Sequence, residues 1–138
     1  MPHFTEIIAI MALGFASLLG LAGLFVPKWA SRMVRLVANP DPEQPGGFAE
    51  FRALYGGFFL MLHLTALAIV WQPELKTSIK IFALFPISAA WIGAAMGRGI
   101  SLFLDGEDNR SAGINPIALA VELAIGLAIA APVLQLTS

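Results

Sequence analysis

The sequence has 138 residues, of which 58% are hydrophobic and 12% charged, and its formal net charge is −1. Soluble domains average about 45–50% apolar and about 25% charged residues, so a chain this short and this apolar could not cover a soluble surface. The small net charge gives no electrostatic basis for nucleic-acid binding. The absence of cysteine excludes disulfides, thiolate chemistry and zinc–thiolate sites.

Four long hydrophobic runs predict four membrane-spanning helices, at residues 4–26, 50–71, 79–104 and 114–136. Each run is near or above the ~20 apolar residues that cross a bilayer core as a helix. The first run is too long for the core of a signal peptide and lacks a basic segment before it and an Ala-x-Ala-like site near its end, so we expect a retained helix. The predicted fold is an all-α integral membrane four-helix bundle, with residues 1–138 forming a single transmembrane domain.

The connection between the first two helices has a basic face. Lys28, Arg32 and Arg35 fall on one side of a helical projection, whereas Trp29 and Met33 fall on the other. This pattern predicts a short amphipathic helix in the membrane interface, with its basic side against anionic lipid headgroups. A plain extension of the first helix is the alternative.

The distribution of Lys and Arg predicts the orientation in the membrane. One face carries six basic residues, Lys28, Arg32, Arg35, Arg52, Arg98 and Arg110, and the other carries two, Lys76 and Lys80. We therefore expect the connections between helices 1 and 2 and between helices 3 and 4 to be cytoplasmic. Both termini are then periplasmic.

Small residues recur at four-residue spacing on three of the helices. These rows are Ala12, Ala16 and Gly20, then Ala89, Gly93 and Gly97, and then Ala120, Ala124 and Ala128. On another face of the fourth helix, Gly126 and Ala130 continue the same spacing from Glu122. Small residues at this spacing let helix backbones approach closely in lipid, where no hydrophobic effect drives association. The rows predict surfaces for helix packing, either within the chain or with other membrane proteins.

Charged residues inside the spans predict a polar centre. A charge near the middle of a bilayer costs at least ~2.5–3.5 kcal/mol and so requires a partner. Arg98 and Glu122 lie at similar depths on consecutive helices, which predicts an ion pair between them. Arg52 and Tyr55 are expected to face this pair from the second helix, and Glu50 suits the first helical turn, where the helix dipole favours an anion.

The predicted intramembrane cluster contains Glu50, Arg52, Tyr55, Arg98, Ser101, Asp105 and Glu122. Two interpretations stay open at this point. In one, the cluster only fixes the register of the helices. In the other, it binds a polar headgroup or a quinone, or Glu122 relays protons, because ionisable groups inside a membrane are functional candidates by default.

Other polar residues give weaker indications. His63, in the middle of the second helix, could bind a haem or pigment metal, although a hydrogen-bonded core histidine is favoured. The acidic run from Asp105 to Asp108 lacks EF-hand spacing, so we predict no metal site. No catalytic motif is visible, and we predict no enzyme activity.

Three segments together resemble the DUF4345 family of small bacterial membrane proteins. They are EFRALYGGFFLMLHL from Glu50, GRGISLFLDG from Gly97, and a fourth helix carrying Glu122. The resemblance implies a bacterial inner-membrane protein with four helices and the same polar residues as its centre. It supplies no activity.

The expected function is that of a non-catalytic accessory or scaffold subunit of a larger membrane complex, which could be respiratory, photosynthetic or lipid-modifying. The alternative is a lipid- or quinone-binding protein or carrier that uses the buried Arg, Glu and Tyr residues. No cofactor is predicted, and a bound lipid, quinone or pigment stays an alternative. The expected partners are membrane lipids and other integral membrane proteins, or further copies of the chain.

Overall fold

The computed structural model describes residues 3–36, 48–104 and 114–136. These residues contain no strand and form five helices, four of them long and apolar enough to cross a membrane. The helices are α1 (Phe4–Phe25), α2 (Pro27–Met33), α3 (Ala49–Trp71), α4 (Thr77–Leu104) and α5 (Ile114–Ala130), with a 3₁₀ turn at Ala131–Leu136. This confirms the predicted fold class, including the short helix between the first two spans.

Proline marks the boundary between α1 and α2. Pro27 has no N–H group, so it cannot continue the hydrogen-bond ladder of α1, but its fixed φ suits the first position of a new helix. After α2, Arg35 takes a left-handed conformation with φ 57. The Leu36 N–H then donates to the Ser31 carbonyl at 2.8 Å, which satisfies one of the last acceptors of α2.

The short helix α2 carries two of the three basic residues of the predicted face, and the third, Arg35, lies beyond its end. Lys28 and Arg32 are exposed, while Pro27 and Ser31 are buried. Trp29 is also exposed, at 52%, as a side chain that enters a headgroup layer must be. The described structure is therefore compatible with an interfacial helix, and lipid contact by its basic residues stays a prediction.

Helix α3 begins irregularly. Only Ala49–Phe51 is α-helical before a π-helical stretch at Arg52–Phe58, and the α-helix resumes at Phe59–Trp71. The sequence analysis did not predict this stretch. π-Helical turns are rare and frequently lie at functional sites.

The described chain divides into two compact units. In the unit formed by Leu13–Ala68, glycines bring α1 against α3. A Cβ atom on Gly20 would lie 2.8 Å from the Cα of Leu60, and one on Gly23 would lie 2.5 Å from the Tyr55 carbonyl oxygen. The row that contains Gly20 therefore serves packing within this unit, as small residues in membrane helices often do.

The second unit comprises Met1–Ala12 and Ile69–Ser138, and α4 and α5 form most of it. The Ser88 hydroxyl donates to the Gly126 carbonyl at 2.8 Å. A Cβ atom on Gly126 would lie 2.8 Å from the Ile92 side chain. The side chains of Leu84 and Ile129 are buried in this unit. The prediction of a single domain over the whole chain stays a prediction.

Candidate functional site

An ion pair joins α4 to α5. The Nε–H of Arg98 donates to Oε1 of Glu122 across 2.7 Å. Arg98 lies about six residues before the end of α4 and Glu122 about eight residues after the start of α5, which places them roughly 9 and 12 Å from those helix ends. The structure thus forms the Arg98–Glu122 pair that the sequence predicts.

Among the described residues, the Arg98–Glu122 pair leaves hydrogen-bonding groups without partners. Oε2 of Glu122 is buried and has no hydrogen-bond partner among the described residues. The recorded contact of Arg98 is through Nε, although guanidinium–carboxylate pairs frequently form two parallel hydrogen bonds. The Arg98 side chain is 29% exposed and that of Glu122 is 13% exposed. A buried carboxylate oxygen without a donor is costly, so it calls for an explanation.

A second ion pair lies at the opposite end of α4. Nζ of Lys80 donates to Oε1 of Glu6 at 3.0 Å, with side-chain exposures of 6% and 3%. The other carboxylate oxygen of Glu6 accepts the backbone N–H of His3 at 3.2 Å. Both oxygens of this carboxylate therefore have donors, unlike those of Glu122.

The two basic residues of these pairs share one face of α4. Lys80 and Arg98 are about 18 residues apart, which is five turns and about 27 Å along an α-helix. This length is close to the ~30 Å hydrocarbon core of a bilayer. One pair therefore lies near each border of the core. Both carboxylate oxygens of Glu6 have donors, so a structural role explains the Glu6–Lys80 pair. The Arg98–Glu122 pair, in which Oε2 of Glu122 lacks a donor among the described residues, is the better candidate for a site.

Arg52 has a backbone partner within its own unit. Its Nε–H donates to the Leu24 carbonyl at 3.1 Å, in the last turn of α1. The last carbonyls of an α-helix lack intrahelical donors, and a cation is favourable at the C-terminal end of the helix dipole. Arg52 thus caps α1, and its membership of one cluster with Arg98 stays a prediction.

The remaining members of the predicted cluster are distributed as follows. Tyr55 is exposed, and its ring stacks on Phe51 with centroids 4.9 Å apart. Glu50 is exposed in the first turn of α3, where the dipole favours it. Ser101 is half-buried on α4. Asp105 lies outside the described residues.

His63 is buried in α3, with 1% of its surface exposed. Its Nδ1 donates to the Phe59 carbonyl at 2.6 Å, and the His63 ring contacts the Phe59 ring at a centroid distance of 4.2 Å. These contacts hold the imidazole against its own helix. The choice between a core histidine and a haem or pigment ligand stays a prediction.

Metal ligation has no support in the part of the chain that the structure describes. Among residues 3–36, 48–104 and 114–136, no three His, Cys, Asp or Glu side chains are grouped closely enough to hold a metal ion.

The sequence analysis missed the Glu6–Lys80 pair. It assigned no partner to Glu6 and counted Lys80 only as a basic residue on the less basic face. Each lies within the first turn of its helix, and both helices start at the same membrane face in the predicted topology. Their similar depth in the membrane could have predicted this pair, in the same way that it predicted the Arg98–Glu122 pair. Asn115, which is buried near the start of α5, was also missed.

Four apolar spans with ion pairs inside them define a multi-pass α-helical membrane protein. The model of the family described as "Domain of unknown function (DUF4345)" matches residues 4–131, nearly the whole chain. The chain therefore belongs to the DUF4345 family. No curated protein and no solved structure matches it.

Proposed function

We propose that the protein is a non-catalytic accessory or scaffold subunit of a larger complex in a bacterial inner membrane. The complex would be a respiratory, photosynthetic or lipid-modifying assembly. The observation that carries the proposal is a strip of small residues on α4 that is exposed in the described part of the chain. The strip is defined by Ala89, Gly93 and Gly97 and is called here the α4 outer face.

The α4 outer face lies opposite the buried side of the same helix. The buried side includes Lys80, Leu84, Ile87, Ser88 and Ala95, whereas Ala89, Gly93 and Gly97 are exposed. A Cβ atom added to Gly93 or Gly97 would meet nothing within 4 Å in the described chain. Large exposed side chains flank this shallow strip, among them Phe82, Phe85, Met96 and Ile100.

Two other glycines in the chain indicate what such a strip can do. At Gly20 and Gly126, the neighbouring helix approaches so closely that a methyl group would lie 2.8 Å from it. Gly93 has small residues four positions away on both sides, Ala89 and Gly97, and a Cβ atom there would meet nothing within 4 Å among the described residues. Because dispersion and close backbone approach drive helix association in lipid, the fitting occupant is a transmembrane helix of another membrane protein.

The ion pairs support the proposed orientation, with the α1–α3 and α4–α5 connections cytoplasmic and both termini periplasmic. Lys80 is buried against Glu6, so Lys76 is left as the exposed basic residue of the periplasmic side in the described chain. Lys28 and Arg32 remain exposed on the other side. The excess of Lys and Arg on the proposed cytoplasmic side is therefore clearer when residues in ion pairs are left out of the count.

Purification from native membranes in mild detergent, followed by native mass spectrometry, tests the proposal. We expect the wild-type chain to migrate with larger membrane proteins at fixed stoichiometry. Gly93→Leu fills the α4 outer face and should release the chain from the complex while leaving its own helical content and elution unchanged. Gly14→Leu is the matched control, because a Cβ atom at Gly14 also meets nothing within 4 Å in the described residues.

A wild-type chain that migrates alone would refute the accessory-subunit proposal. Equal association of the Gly93→Leu and Gly14→Leu variants would instead refute the assignment of the α4 outer face. A third variant, Gly126→Leu, should unfold the unit formed by α4 and α5, which identifies losses of association that come from misfolding.

A further inference from the structure

We propose that the Arg98–Glu122 pair binds the headgroup of a phosphoethanolamine lipid, with the phosphate on Arg98 and the ammonium on Glu122. This inference goes beyond the accessory-subunit proposal and does not depend on it. It rests on the unused groups of the pair, on its depth and on its balance of charge.

The unused groups require a ligand with both acceptors and donors. The terminal Nη groups of Arg98 are donors, and a guanidinium fork matches the oxygens of a phosphate. Oε2 of Glu122 is an acceptor that lacks a donor among the described residues. A ligand that satisfies both side chains must accept a hydrogen bond from Arg98 and donate an N–H or O–H to Glu122.

This requirement separates the headgroup from the other ligands considered for the site. An oxidised quinone offers carbonyl acceptors to Arg98 and no donor to Glu122. A phosphate monoester or diester without a donor would add negative charge beside the Glu122 carboxylate, which disfavours both ionised groups. The ammonium of ethanolamine supplies three donors and a positive charge.

Charge balance favours the same ligand. Arg98 and Glu122 together carry no net formal charge, so a headgroup with one negative and one positive group leaves the site neutral. Neutrality matters here because uncompensated charge near the hydrocarbon core is expensive. Each ionised group of the ligand would meet the opposite charge of the protein.

The depth of the pair also fits a lipid headgroup. The two residues lie roughly 9–12 Å from the ends of their helices, near the inner limit of the headgroup layer, since the layer and core together span about 40–45 Å. The Arg98 side chain is partly exposed, at 29%, so part of it is open to a ligand. Long basic side chains extend toward headgroups from such depths.

Lipid choice by the wild-type chain is the primary test. The full-length protein is purified in detergent, offered phosphatidylethanolamine, phosphatidylcholine or phosphatidylglycerol at equal concentration, and examined by native mass spectrometry. Phosphatidylcholine is the matched control, because its quaternary ammonium keeps the charges and lacks N–H donors. We expect one tightly held phosphatidylethanolamine per chain and at least tenfold weaker retention of the other two lipids.

Two variants locate the bound lipid. Glu122→Gln keeps the shape of the side chain and removes its charge, and it should lower retention of phosphatidylethanolamine at least tenfold. Glu74→Gln removes an exposed charge just before the opposite end of α4 and should leave retention unchanged. Helical content by circular dichroism and a single elution peak show whether each variant is folded.

Three results would overturn the proposal. Equal retention of phosphatidylethanolamine and phosphatidylcholine would show that Glu122 does not recognise the ammonium N–H groups. Preference for phosphatidylglycerol would assign the site to an anionic lipid. Retention that is unchanged in a folded Glu122→Gln variant would place the lipid elsewhere on the chain.

Discussion

Lys80→Met should destabilise the protein strongly, although it makes a hydrophobic span more hydrophobic. The substitution keeps most of the side-chain volume and removes the ammonium that neutralises Glu6. Both side chains are at most 6% exposed, so water cannot take over from the lost partner. Removing one member of a buried ion pair typically costs about 3–5 kcal/mol, because the other charge is left uncompensated.

The local hydrogen bonds place the expected cost at the lower end of that range. The His3 N–H still donates to Oε2 of Glu6 after the substitution, and a hydrogen bond to a charged group is worth about 1.5–3 kcal/mol. We therefore expect a loss of about 3 kcal/mol, or roughly a hundredfold in the unfolding equilibrium. The double variant Glu6→Gln/Lys80→Met removes both charges and should recover most of the loss, since buried pairs are often replaceable by neutral groups.

The assay is unfolding in mixed detergent micelles, followed by far-ultraviolet circular dichroism, for the wild type, both single variants and the double variant. The four free energies form a cycle whose coupling term isolates the pair. Lys76→Met is the control, because Lys76 is exposed and its replacement should change stability by less than about 0.5 kcal/mol. A Lys80→Met variant no less stable than Lys76→Met would refute the buried-pair reasoning, as would a coupling term near zero.

Four further substitutions test the packing and the helix ends, each by the same unfolding measurement. Gly126→Ala should cost about 1–3 kcal/mol through overpacking, whereas Gly93→Ala, with open space around it, should be neutral or slightly stabilising; equal effects would contradict the assigned packing. Arg52→Met should cost about 0.5–1.5 kcal/mol by uncapping the Leu24 carbonyl, and an unchanged stability would remove that role. Arg35→Gly should stabilise the end of α2 by up to about 1 kcal/mol, because glycine tolerates its left-handed φ, and a destabilised variant would contradict this.

The features that could be predicted from the sequence are those that depend only on distance along the chain. Span lengths follow from hydrophobic runs, and the helices begin and end close to the predicted residues. Arg98 and Glu122 were paired because consecutive packed helices bring residues of equal depth together. The same reasoning applied to Glu6 and Lys80 would have succeeded, but charges near helix ends have ordinary explanations in the dipole and in topology.

Other features depend on three-dimensional contacts that no spacing reveals. The π-helical stretch at Arg52–Phe58 lies where the backbone of Tyr55 approaches Gly23 on α1, and the sequence gives no register for that contact. The partner of Arg52 is a carbonyl, which every residue has, so its choice could not be deduced. The unused oxygen of Glu122 likewise emerges only from the geometry of the pair.

In-cell photo-crosslinking at the α4 outer face tests the central claim most directly. A photoreactive residue is placed at Gly93 in one variant and at Gly14 in the other, both positions with open space around them in the described chain. The accessory-subunit account predicts a single adduct of defined mass from Gly93 that contains another membrane protein, and no such adduct from Gly14. Adducts with lipid alone at Gly93, or the same protein adducts at both positions, would contradict it.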